Sequence, residues 1–595
     1  MVKKILVIIC CGLFFAGCDS KPKNNKKLDL LFENYFEERF KFFPLEATSQ
    51  GDNRFNDLLP LDITDSYRNQ LLIFYQKYSN ELDNFAEKDL NEDQKVFYNT
   101  LRFSINSEIE SLNFPKHLMP FNQFEGLPLT FAQLGSGEAS QPFKTVKDYE
   151  NWLKRVDQFS IWGDSAIVNF RKGIVDGWIL PKSLVVKMIP QMKELSNSTV
   201  EESVFFGPIK NIPSSFSASE KQNLTEKYKK AIIEKINPTY NKLGDFLSAE
   251  YLKVSRPTSG IMFVRNGKKY YDYLTYAWTT TLKSPNEIFQ TGLSEVDRIK
   301  REMEKVKTEV GFKGNLNAFF SSLKNDPKLM PFKTPDEVLE AFRTIQSKIE
   351  PNLAKMFSIS PKTKFEIRRT EAFREATASA EYLQGTADGT RPGVFYVPIP
   401  DAKTFNITSG MESLFLHEAI PGHHYQVSLQ QENQKIPKFM RFSWYGAYGE
   451  GWALYTESLG KELGLYTNPY QYMGALGDEM HRAIRLVVDV GMHTKGWSRE
   501  EALNFMMANE AISEQGAIAE IERYMAIPGQ ALSYKIGALK IRELRNKYSI
   551  QLNKDFRLAE FHSEILKNGC LPLEVLEENL NAWANKIKPT NPPQS

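Results

Sequence analysis

Cysteine is nearly absent from this sequence. Its 595 residues include four, and Cys10 and Cys11 fall within the N-terminal run MVKKILVIICCGLFFAG. Two lysines ahead of an apolar stretch that ends on small residues make the build of a secretory signal, so residues 1–17 are expected to be removed on export. If Cys18 then carries lipid, Cys570 stands alone, and no intramolecular disulfide can form in any redox compartment. The leader's apolar stretch is also too short for a permanent membrane span, which takes about 20 apolar residues. A charge surplus is missing as well: Lys3 and Lys4 lie in the leader, and without them the 75 basic residues fall level with the 73 acidic ones. No nucleic-acid partner held by phosphate neutralisation is therefore expected. Repeats of fixed period are absent, which argues against solenoids and propellers.

What is present is an ordinary globular composition, 42% apolar and 25% charged, enough for a large core. Phe15-Ala-Gly-Cys18 resembles a lipobox, with Phe15 where that pattern usually has an aliphatic residue. The expected product is an exported lipoprotein, anchored through Cys18 to a membrane of the cell envelope, with residues 18–27 as a polar tether. From Leu28 onward helix signals dominate. Thr145-Val-Lys-Asp148, Ser284-Pro-Asn-Glu287, Thr334-Pro-Asp-Glu337 and Ser498-Arg-Glu-Glu501 each set a hydroxyl three residues ahead of an acid, before a periodic apolar run. Strand-like patches are short: Ile261–Val264, Lys364–Arg368 and Gly393–Val397. The expected fold is mainly α over residues 28–590, with one small β-sheet and a lobe boundary near 255–285.

Histidine is scarce too, at seven residues, yet three fall within eight positions beside a glutamate, in His417-Glu418-Ala-Ile-Pro421-Gly422-His423-His424. In the usual His-Glu-x-x-His arrangement, residues four apart share one helix face, so both imidazoles reach one zinc while the glutamate activates water. Here the spacing differs. On one unbroken helix His417 and His423 would point about 120° apart, and His424 would lie roughly 10 Å along the axis from His417. Pro421 has no N–H and clashes with the carbonyl of His417, while Gly422 tolerates unusual dihedrals, so a bulge is expected. If it absorbs two residues, His423 becomes the second zinc ligand and His424 a neighbour facing elsewhere. The alternative is that Pro-Gly ends a helix and the histidines cap or pack. A third ligand is needed if one position stays open. Glu450 and Glu457, seven apart on one helix face among Gly446, Ala447, Gly449, Gly451 and Ala453, supply a ligand and its supporting partner in that order.

These segments, with Arg485-Leu-Val-Val-Asp489-Val-Gly-Met-His493 and Pro528-Gly-Gln-Ala-Leu-Ser-Tyr534, resemble the bacterial domain-of-unknown-function family DUF885. That family in turn resembles helical zinc peptidases such as thimet oligopeptidase and the thermostable carboxypeptidases. The resemblance implies a two-lobed metallopeptidase-like fold with the sheet beside the active-site helix, and one zinc on His417, His423 and Glu450. It implies Glu418 as the base and a later tyrosine, Tyr534, as donor to the developing oxyanion. Arg485, Asp489 and His493 recur every four residues as a polar stripe, for a substrate carboxylate or as a structural ladder. Tyr396, in Gly393–Val397, sits on an expected edge strand for pairing with an extended peptide. His117, His481 and His562 are isolated and receive no role. The expected activity is hydrolysis of short envelope peptides. The same groups would serve an amidohydrolase acting on cell-wall or small amide substrates, and a non-catalytic peptide-binding lipoprotein is the third reading.

Overall fold

The computed structural model describes residues 24–587, apart from 198, 372–374, 376–377, 387–388 and 390. The expected leader and Cys18 lie outside the described residues. The first helix, α1 (Lys26–Arg39), starts two residues before the expected end of the tether because the Asn25 side chain caps it, accepting from the amides of Lys27 and Leu28. Among the described residues no helix is long and apolar enough to cross a membrane.

The fold is mainly α with one small sheet. The expected helix starts hold. The longest helix, α2 (Val146–Asp176), opens on the reciprocal Thr145–Asp148 pair and stops at Gly177, whose φ of 75° suits glycine. Its apolar residues recur every three or four positions, from Trp152 through Val156 and Phe159 to Phe170. They form a core drawn only from residues between Leu59 and Tyr251, with Phe131 stacked on both Phe159 and Trp152. Three earlier helices pack elsewhere: buried residues of Lys26–Arg39, Asp65–Leu82 and Glu92–Leu112 share a core with residues from Val338 to Ala584.

After residue 255 the chain makes α3 (Gly267–Thr279) and α4 (Pro285–Glu309), and then the sheet of β1 (Phe365–Arg369), β2 (Glu381–Leu383) and β3 (Gly393–Val397). Ile261–Phe263, expected as a strand, is instead a 3₁₀ turn. Gly260 lies so close to the carbonyl of Met492 that a Cβ there would meet it at 1.9 Å, and the Ile261 amide donates to His493. A turn bonded to a helix has no free edge for pairing. Within the sheet β3 lies between β1, to which it is parallel, and β2, to which it is antiparallel. The expectation of β3 as an edge strand is therefore corrected: both its edges are paired, and β2 is an outer strand.

Six helices then surround the site: α5 (Met411–Glu418), α6 (His423–Glu432), α7 (Gly446–Glu457), α8 (Pro469–Lys495), α9 (Glu514–Ala526) and α10 (Ser533–Leu552). The small residues of α7 let another helix approach closely. A Cβ on Gly451 would meet the Gly537 Cα at 2.5 Å, and one on Gly537 would meet the Ala447 carbonyl at 1.8 Å. Glycine here is a condition for seating α10 on α7.

Candidate metal centre

The Pro-Gly segment does more than bulge. Helix α5 ends at Glu418 and α6 starts at His423, with four residues between them rather than a distortion inside one continuous helix. Both Ala419 and Gly422 leave helical dihedrals, with ψ near −106° and −129°. Gly422 passes so near the end of α5 that a Cβ would meet the His417 carbonyl at 1.9 Å. Helix α7 secures the corner: Trp452 Nε1 donates to the Pro421 carbonyl at 2.9 Å, and Thr456 Oγ1 to that of Leu416 at 2.8 Å.

The corner brings His417 and His423 together across the interruption. Their rings stand 88° apart with centroids separated by 4.8 Å. His417 Nε2 lies 3.5 Å from Glu450 Oε2, and His423 Nε2 lies 3.4 Å from it. One donor atom from each of the three residues falls within 4.8 Å of the others. These spacings are long for hydrogen bonds between charged groups, which run about 2.7–2.9 Å. They match the edge of a tetrahedron, about 3.3 Å, around an ion with bonds of roughly 2.0–2.1 Å. Two imidazole nitrogens and one carboxylate oxygen are also donors that zinc accepts.

Glu457 holds His417 from behind, its Oε1 taking the Nδ1 proton at 2.7 Å, which leaves Nε2 directed at Glu450. Burial acts to lower the basicity of His417, but Glu450 and Glu457 on either side outweigh it and push the pKa up to about 10. Burial likewise acts to raise Glu450, and the two imidazoles outweigh it and hold the carboxyl well below the usual range. This cluster calls for positive charge, which a divalent cation supplies without a proton. Burial lifts the Glu418 carboxyl above its ordinary value against the pull of His423 and His417.

His417, Glu418, His423, Glu450 and Tyr534 all line one cavity of about 1260 Å³. Arg485 lines it too, its guanidinium 4.6 Å from the centre of the Tyr534 ring. The other candidates stand apart from it. His424 faces the sheet, where Tyr382 Oη lies 3.1 Å from its Nδ1 and Phe365 packs on the ring; burial pushes its pKa down to about 4. Gly393 leaves the space for that ring. Tyr396 sits on the central strand rather than an open edge. Asp489 accepts from Tyr271 Oη at 2.5 Å and from the Gly529 amide at 3.1 Å, and burial pushes its carboxyl up to about 7. His493 is sealed between the Ile261 amide and the Tyr524 carbonyl, which fits the structural ladder rather than a substrate contact.

Sequence reasoning missed further charged residues of the cavity. Arg482 and Arg523 line the cavity with Arg485, Glu520 and His481, the last of which lies 3.4 Å from Glu520. Glu520 pairs with Arg485 at 3.0 Å and with Arg523 at 3.8 Å. Arg482 has a buried Nε without a hydrogen-bond partner. The signal was the neighbouring pair Arg482 and Arg485, three apart on α8.

No curated protein matches the chain. Among the solved structures that do is a candidate lipoprotein from Colwellia psychrerythraea, 28% identical with a TM-score of 0.86, covering 94% of this chain and 99% of its own. Another, a candidate lipoprotein of unknown function from Shewanella oneidensis, is 19% identical with a TM-score of 0.73, covering 93% of this chain and 99% of its own. The model of the bacterial proteins of unknown function DUF885 matches residues 44–580, and the chain belongs to that family.

Proposed function

We propose that the protein is a zinc-dependent hydrolase of peptide bonds in short peptides, carried at the cell envelope on a lipid attached to Cys18. The observation that carries this reading is the convergence of His417, His423 and Glu450 on one point at coordinating separations, beside a glutamate that shares the cavity. Those three side chains would hold the ion. Zinc supplies Lewis acidity, which polarises a scissile carbonyl and acidifies an attacking water.

Glu418 takes the water proton at its carboxylate and returns it to the leaving amine. Its raised pKa brings it closer to the operating pH, where a group that must both accept and release a proton is most effective. Tyr534 donates its phenolic proton towards the oxygen on which charge develops. The outer strand β2 and its flanks, Ser379 to Gln384, line the cavity and offer backbone groups to an extended peptide. Arg482, Arg485 and Arg523, which line the same cavity, suit a substrate carboxylate. The cavity exceeds the 300–1,000 Å³ usual for small-molecule pockets, which favours a peptide over a small amide.

The test is Glu418→Gln in protein carrying one equivalent of zinc. Zinc content should be unchanged while cleavage of a peptide library falls by about 10² to 10⁴. Undiminished turnover would end the assignment of the base, and a wild-type protein that takes up no zinc would end the reading.

A further inference from the structure

Behind the metal centre lies a second cavity, of about 360 Å³. It shares no lining residue with the large one. Glu457 joins the two: its Oε1 holds His417, and the residue also forms part of this second wall. The remaining walls come from the end of α7, the start of α8, one face of α10 and Arg298 of α4.

Much of the wall is apolar, with Leu454, Leu476 and Ala538 beside the rings of Tyr455 and Tyr466. Around it the charges do not cancel. Glu479 is taken up by Arg298 and Lys535, at 2.5 and 2.7 Å, and Glu462 by Arg545 at 2.5 Å. Glu457 is engaged by His417. That leaves two cations without a carboxylate. The Lys461 ammonium rests 3.9 Å from the centre of the Tyr472 ring, and Arg542 makes no ion pair or hydrogen bond among the described residues.

A guanidinium with no carboxylate at ion-pair distance, beside an apolar surface, matches an anion with an apolar body, because the fork of Arg542 can take both oxygens of a carboxylate. The volume lies at the small end of ligand pockets. We propose that this cavity binds small carboxylates of amino-acid size with an aromatic or branched hydrocarbon body, the carboxylate on Arg542 and Lys461. A free apolar amino acid and a plain organic acid share that chemistry. They differ at the ammonium, which only the amino acid brings, in competition with Arg545 and Lys535, to Glu462 and Glu479.

Calorimetric titration of the whole mature protein with 3-phenylpropanoate and, separately, with phenylalanine tests the site. Saturable binding of one equivalent is expected, weakened at least about tenfold by Arg542→Ala and partly restored by Arg542→Lys. Tighter phenylalanine assigns the ammonium to the glutamates, and tighter phenylpropanoate marks a site for plain acids. Absence of saturation by either probe up to about 20 mM overturns the proposal. So does binding lost on Arg485→Ala but kept on Arg542→Ala, which would locate it in the large cavity.

The shared Glu457 makes occupancy felt at His417, a link that rests on the zinc reading above. By linkage, saturating probe should shift zinc affinity severalfold in a chelator competition. Equal zinc affinity with and without probe overturns the link, whereas the heats of probe binding decide the site itself.

Discussion

Three buried histidines of this protein, His417, His493 and His562, fall into two sets. His493 and His562 have both ring nitrogens closed by neutral partners. His493 accepts from the Ile261 amide and donates to the Tyr524 carbonyl, and His562 donates to the Met356 carbonyl and accepts from Tyr455 Oη. Burial pushes each down to a pKa of about 3. His417 is as deeply buried, yet one of its nitrogens faces a carboxylate across 3.5 Å with room between them, and His423 meets the same oxygen at 3.4 Å. The difference teaches that burial does not separate a structural histidine from a ligand. What separates them is whether a nitrogen is left facing an acceptor too far away to bond directly.

The largest effect expected from that contrast comes from alanine at one member of each set. His417→Ala removes a donor and strands Glu457, so zinc measured by native mass spectrometry should fall from one equivalent to none. His493→Ala should keep its zinc and lose stability, by about 2–4 kcal/mol, since a buried amide and a buried carbonyl each lose their partner. Full zinc occupancy in the His417 variant would erase the distinction. A smaller effect is expected behind the first shell of donors. Glu457→Gln keeps the shape but withdraws the charge that orients His417, so zinc should bind about 10- to 100-fold more weakly in a chelator competition. An unchanged affinity would mean that Glu457 only packs.

How much of this could be read in the chain follows from how local each feature is. The Pro-Gly interruption, the pairing of His417 with His423 across it and the small residues of α7 depend on spacing within a few residues, and spacing is legible. The choice between a bulge and the end of a helix, both open in the sequence, was not, because each begins with the same loss of an N–H at Pro421. The place of β3 in the sheet depends on β2, three residues of Glu-Tyr-Leu with no alternation to announce them. The stripe on α8 misled for an axial reason. Arg485, Asp489 and His493 share a face, but each step of four residues moves about 6 Å along the helix. Arg485 meets the cavity, whereas Asp489 and His493 have already passed under Tyr271 and Ile261.

The smallest effect is the subtlest test of the two sets, and its sign follows from the neutral pair. His493 and His562 have folded pKa values of about 3, below the ordinary value of 6.5, so the unfolded chain binds protons that the folded chain refuses. Their stabilising contribution is present above about pH 6.5 and is lost as pH falls from there towards the folded values. Each costs about 1.4 kcal/mol per pH unit over that interval. Asp489 works in the opposite sense: its carboxyl is raised to about 7, so folding gains from its protonation as pH falls from 7 towards 4 and offsets about one of the two histidines. Glutamine at 493 can accept from the Ile261 amide and donate to the Tyr524 carbonyl without titrating. His493→Gln should therefore show a shallower fall in thermal midpoint between pH 6.5 and 5 than the wild type, by about one proton's worth of slope. Parallel curves for the two proteins would show that His493 takes up its proton in the folded state, and would move it out of the structural set.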